Sequence, residues 1–106
     1  MDVTNNTIMI QATLFFYNLK DIEPRIRTKV HEELFDRMKK SNYSTYAYKI
    51  QGVLSTFDYI RPVRAALIVK PQYAQRIMNI FEKNGVTYRS YTVSIPSRDF
   101  EKSTFF

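Results

Sequence analysis

The chain has 106 residues, 44% of them hydrophobic and 25% charged, which is the size of one ordinary domain able to bury a two-layer core without covalent help. There is no cysteine and His31 is the single histidine, so disulfides, thiolate chemistry and the usual zinc ligand sets are excluded, and no cofactor is expected. Sixteen lysines and arginines against ten acids leave a formal charge of +6, which would attract a polyanion.

No apolar run approaches the roughly 20 residues that a membrane helix needs. The opening residues MDVTNNTIMIQ lack the basic start and cleavage site of a signal peptide, so the expectation is a cytoplasmic protein with no membrane partner. The charge is unevenly spread. From Arg37 to Arg76 the cations Arg37, Lys39, Lys40, Lys49, Arg61, Arg64, Lys70 and Arg76 are opposed by Asp58 alone, whereas Glu23, Glu32, Glu33 and Asp36 come earlier.

Thr7 to Tyr17 alternates as a strand, with Ile8, Ile10, Ala12, Leu14 and Phe16 on one face and Met9, Gln11, Thr13, Phe15 and Tyr17 on the other. The first row is purely apolar and is expected to meet the helices; the second is mixed and is expected on the open face. Asp21 is placed to cap a helix that admits Pro24 in its first turn and runs to about Lys40, its stripe formed by Ile22, Ile26, Val30, Leu34 and Met38 with Phe35 beside them. His31 lies off that stripe, as a half-exposed surface imidazole.

A second strand is expected over Thr45 to Leu54, with Gly52 marking a bulge or a close backbone approach. After a turn at Ser55 to Asp58, Tyr59 to Lys70 reads as a third strand. Val63, Ala65, Leu67 and Val69 fall on one face and Arg64, Ala66, Ile68 and Lys70 on the other, and the regular part begins after Pro62. Pro71 opens a second helix with the stripe Ala74, Ile77, Met78 and Phe81, and Gly85 ends it in a left-handed conformation. Val86 to Ile95 is the fourth strand, stopped by Pro96. Residues 1–96 make one domain and residues 97–106 a tail, mobile unless Phe100, Phe105 and Phe106 dock.

The order strand, helix, strand, strand, helix, strand resembles the ferredoxin-like βαββαβ sandwich, an α+β fold with an antiparallel four-stranded sheet and both helices on one face. Right-handed crossovers would put the first and third strands at its centre. That fold hosts many unrelated activities. An RNA-recognition motif would need stacking aromatics on both central strands; Phe15 and Tyr17 could serve on the first, but Arg64, Ala66 and Ile68 offer none on the third. Small-molecule regulatory domains on this fold rely on glycine-bearing loops, and only Gly52 and Gly85 are present.

The pattern also resembles the CRISPR-associated Cas2 proteins, small ferredoxin-like dimers in which an aspartate ending the first strand is linked with metal-dependent cleavage. Here that place is filled by Phe16-Tyr17-Asn18, so Asn18 supplies no negative ligand and the resemblance implies shape, dimerisation and duplex binding. The segment SNYSTYAYKIQGVL followed by YIRPVRAALIVK is similar to small uncharacterised archaeal proteins and identifies no site.

The leading functional expectation is a nucleic-acid-binding protein, DNA or RNA, without catalysis. Lys39, Lys40, Lys49, Arg61 and Arg64 would neutralise phosphates, while Tyr43, Tyr46 and Tyr48 would stack on bases or hydrogen-bond to the backbone. The other account of the tyrosines is that they pack the sheet. The alternative is a protein-interaction module: a homodimer, adaptor or inhibitor using Met9, Phe15, Ala66 and Ile68 on the open face. The end Ser103-Thr104-Phe105-Phe106 resembles a sliding-clamp-binding peptide, with Asp99 in the place of its glutamine and Lys102 in that of its aliphatic anchor, so Phe105 and Phe106 could meet a protein partner. An enzyme is not expected: Glu32, Glu33 and Asp36 have adjacent bases to pair with.

Overall fold

The computed structural model describes residues 8–40 and 47–101. The first strand, β1 (Met9–Asn18), forms where the alternation predicts it, but its two faces are the reverse of those expected. Phe15 and Tyr17 are buried under the helices, whereas Ile8 and Phe16 are 67% and 48% exposed on the other side. Alternation defines two faces without saying which one the helices cover, and here both rows are apolar enough to be buried. Phe15 and Tyr17 fill the space below the helices, each against Phe81, with ring centroids 5.9 and 4.8 Å apart.

Helix α1 (Pro24–Leu34) starts with Pro24 in its first turn, and its cap is Glu23, which makes no side-chain bond; Asp21 stands ahead of the helix rather than capping it. The helix stops at Leu34 and not near Lys40. Phe35 still donates its N–H to the His31 carbonyl but is extended, at φ −114 and ψ 155. Beyond Leu34 the stripe had only Met38 to offer, and residues Arg37–Lys40 instead form β2, antiparallel to β3 (Ala47–Ile50).

The expected second strand is therefore divided. Its first part pairs with β2 away from the main sheet, and its last two residues, Val53 and Leu54, enter a short 3₁₀ helix, Val53–Thr56, that buries Leu54. Gly52 sits between them as a close backbone approach: a Cβ there would lie 2.5 Å from the carbonyl carbons of Leu34 and Phe35.

The expected third strand is a hairpin. Tyr59–Ile60 (β4) and Ala66–Val69 (β5) pair with each other, Tyr59 opposite Val69 and Ile60 opposite Ile68. The reversal lies between them, where Pro62 has no N–H to give and Ala65 adopts a positive φ of 68. Val63, expected beside Leu67, is 54% exposed in this loop. A 3₁₀ turn at Pro71–Tyr73 then leads into α2 (Ala74–Lys83), closed by Gly85 at φ 70, and β6 (Thr87–Pro96) completes the chain of main elements.

The main sheet has the order β4-β5-β1-β6 with every neighbouring pair antiparallel. Short β4 thus occupies the edge where the expected second strand would stand, β5 and β1 are central, and both helices lie on one face. This is the α+β ferredoxin-like sandwich. Val30 and Leu34 of α1, Ile77 and Phe81 of α2, and Leu67 and Val69 of β5 share its core with Phe15. Ile10 belongs to a second cluster on the opposite face, with Ala12, Ile60 and Phe100, and Leu14 faces the same way. Phe100, 3% exposed, is carried there by a 3₁₀ helix at Ser97–Glu101. Phe105 and Phe106 lie outside the described residues.

Candidate nucleic-acid interface

The sequence-predicted basic residues fall into two places. Lys39 and Lys40 are on β2, Tyr48 and Lys49 on β3, and together these strands form an arm separate from the main sheet. The register sets Lys39 opposite Tyr48, Lys49 opposite Met38, Lys40 opposite Ala47 and Arg37 opposite Ile50. Each of the four cations from Arg37 to Ile50 is thereby paired across the ladder with an uncharged residue, and no acid occurs in that stretch. A strongly cationic ribbon forms without like charges directly opposed. Tyr43 and Tyr46 belong to the connection between the strands and lie outside the described residues.

The base of the arm is held by the Gly52 N–H, which donates to Asp36 Oδ1 at 2.9 Å. Sequence alone suggests Asp36 as one of three carboxylates on a helix, but it leaves the helix and serves this joint. Glu33, another of them, takes Lys83 Nζ at 3.0 Å and ties α1 to α2.

Arg61 and Arg64 come from the loop between β4 and β5 and meet residues of β1 and α1 around a pocket of about 480 Å³, lined by Tyr17, Leu19, His31, Arg61, Arg64 and Ala65. The guanidinium of Arg61 lies 4.3 Å over the Phe35 ring, and Arg61 lines the pocket together with Tyr17. Burial pushes the Tyr17 hydroxyl above its ordinary value, and Arg61 offsets part of that rise by favouring the phenolate. His31, exposed on its helix, packs its ring 4.8 Å from Phe35. Arg64 is exposed at the mouth.

Ala65 is the backbone oddity of this site. An alanine in the left-handed region costs roughly 1–2 kcal/mol, and Ala65 holds it while its carbonyl accepts the Tyr17 N–H at 3.1 Å. That bond fixes the loop to the end of β1 and sets where Arg64 emerges.

Phe35 connects the two places. Its ring supports Arg61 and His31, and two residues later the chain enters β2 at Arg37. Tyr17, His31 and Phe35 are not in the nucleic-acid-binding set expected from sequence, which treats Tyr17 as a stacking aromatic of the open face and His31 as a surface imidazole. His31 and Phe35 are four apart in sequence, at the last turn of α1 and its cap, which is a legible signal; the pocket-facing place of Tyr17 was hidden by the reversed faces of β1.

Among the described residues no three of His, Cys, Asp and Glu come together as metal ligands, and no helix is long and apolar enough to cross a membrane. Comparison of the chain with protein-family models, curated proteins and solved structures returned no match.

Proposed function

We propose that this protein binds nucleic acid without catalysing its breakdown, using the β2/β3 arm and the arginines at its root. The observation that carries the reading is the arm itself: a two-stranded ribbon, cationic and free of acids from Arg37 to Ile50. Such a ribbon is of a size that the roughly 12 Å major groove of a duplex admits, and its charge suits phosphates on either side of that groove. Lysines supply the sequence-independent attraction, and Tyr48 supplies an aromatic that any base can stack on.

The test is a salt series on labelled single- and double-stranded DNA and RNA. Affinity should fall linearly with log salt, and Lys39→Ala and Lys49→Ala should each flatten the slope by about one unit while leaving Tm nearly unchanged. Tyr48→Ala should weaken single-strand binding by about 1–3 kcal/mol with little change of slope. Binding by all three variants equal to the parent would remove the arm from the interface.

The second reading is a protein-interaction module, here a dimer of this chain. It rests on the sheet face away from the helices, where Ile8 is 67%, Phe16 48% and Tyr91 46% exposed, the last two rings 6.2 Å apart. That face borders β6, a ten-residue edge strand in which Arg89 is the sole charge. Antiparallel pairing of two β6 edges about a twofold axis would bring the two apolar patches side by side. Phe15, expected in such a patch, is in the helix-side core instead.

A further inference from the structure

We infer that the pocket at the root of the arm receives a terminal phosphate, a phosphomonoester at the end of a nucleic-acid strand; this rests on the nucleic-acid reading above. A strand in mid-course offers one charge per phosphate and lies along a surface. A strand end offers a phosphate with nearly two charges and three acceptor oxygens, and it can enter a recess. The pocket's walls suit that ligand. Two arginines, whose guanidiniums are forks of N–H donors matched to phosphate oxygens, line it with His31 and Tyr17, and among the described residues none of the lining is acidic.

The remaining wall is apolar. Leu19 and Ala65 face the cavity, and its volume of about 480 Å³ falls in the range that holds small ligands, so the terminal sugar has room behind its phosphate. The site is also preorganised. Arg61 is stacked on Phe35, so part of its freedom is already lost before binding. The left-handed Ala65 spends backbone strain immediately beside Arg64, a conformation that tends to persist where a loop must present a group in one place.

The experiment compares one oligonucleotide in three forms, 5′-phosphorylated, 3′-phosphorylated and bearing hydroxyls at both ends, with a nucleoside monophosphate and inorganic phosphate as separate probes. One phosphorylated form should bind about tenfold or more tightly than the hydroxyl form. Arg64→Ala, at an exposed position, should erase that preference. Arg61→Lys, which keeps the charge but loses the fork, should reduce it, and Lys49→Ala on the arm should weaken all three forms in parallel.

Equal binding of the three forms overturns the terminal-phosphate site and leaves the nucleic-acid reading standing. If no oligonucleotide binds, that reading falls, and with it the strand end as the ligand's source. The nucleoside monophosphate then decides the pocket: a rise in Tm lost in Arg64→Ala retains a site for a free phosphomonoester, and no rise ends it. A rise with inorganic phosphate equal to that with the monophosphate would show that the apolar wall recognises nothing.

Discussion

A carbon added at position 52 would stand 2.5 Å from backbone atoms of Leu34 and Phe35, which cannot swing aside as a side chain could. Gly52→Ala should therefore destabilise by about 3 kcal/mol, measured by urea unfolding, through forced separation of the two backbones where the arm begins. Tyr17 gives a different kind of prediction. Its hydroxyl holds its proton more tightly in the folded chain than its ordinary value of 10.0, chiefly through burial. Below that value both states keep the proton and stability is complete. As pH climbs from there toward the folded-state value the unfolded chain releases its proton first, so stability falls. Tyr17→Phe should make this alkaline loss shallower, seen by comparing unfolding at about pH 8 and about pH 11. Tyr88, raised mainly by the hydrogen bond it donates to Glu82 at 2.8 Å, would continue to contribute in the variant.

The elements show where sequence patterns are strong guides and where they are not. Helix α1 is anchored by Val30 and Leu34, the latter 1% exposed, so Leu34→Ala should cost on the order of 2–5 kcal/mol by thermal or urea unfolding. The stripe Ala74, Ile77, Phe81 and the stop at Gly85 were legible because periodicity and a left-handed glycine are local properties. The hairpin of β4 and β5 was not. Tyr59 to Lys70 reads as one strand, and a tertiary bond, the Tyr17 N–H to the Ala65 carbonyl, joins the local Ala66 N–H to Val63 carbonyl bond in holding the turn that splits it. The arm escaped for a similar reason: Lys39 and Lys40 read as the end of a helix until Tyr48 and Ala47 are available to pair with them.

For the molecule as a whole, the central places of β1 and of β5, the regular part of the expected third strand, followed from connection rules, because a right-handed crossover leaves few places for a strand to go, whereas the edge went to β4 and not to the expected second strand. Which side of the sheet the helices cover did not follow. The open side keeps Ile8, Phe16 and Tyr91 at its surface while Phe100 shields Ala12 and Ile60. If two copies meet along β6, light scattering at micromolar concentration should give twice the mass of the 106-residue chain, and Tyr91→Lys should return it to one copy. A single-copy mass for the parent would exclude that dimer. The candidate site was half legible on the same grounds. Charge clustering pointed to Arg61 and Arg64, but the wall that makes a pocket of them is Tyr17, placed by the sheet face that the pattern left undecided.

The contact of Gly52 with the end of α1 has a consequence for how this protein can vary. The chain departs on its excursion at Leu34 and Phe35 and comes back to touch the same carbonyls, so the arm is a closed detour whose two ends already meet. Lengthening or shortening such a detour changes its closure entropy only slowly with length, and the sandwich beneath need not rearrange. Arm and scaffold are thus separable inheritances: the arm is free to diverge in reach and charge while the body that carries it stays the same.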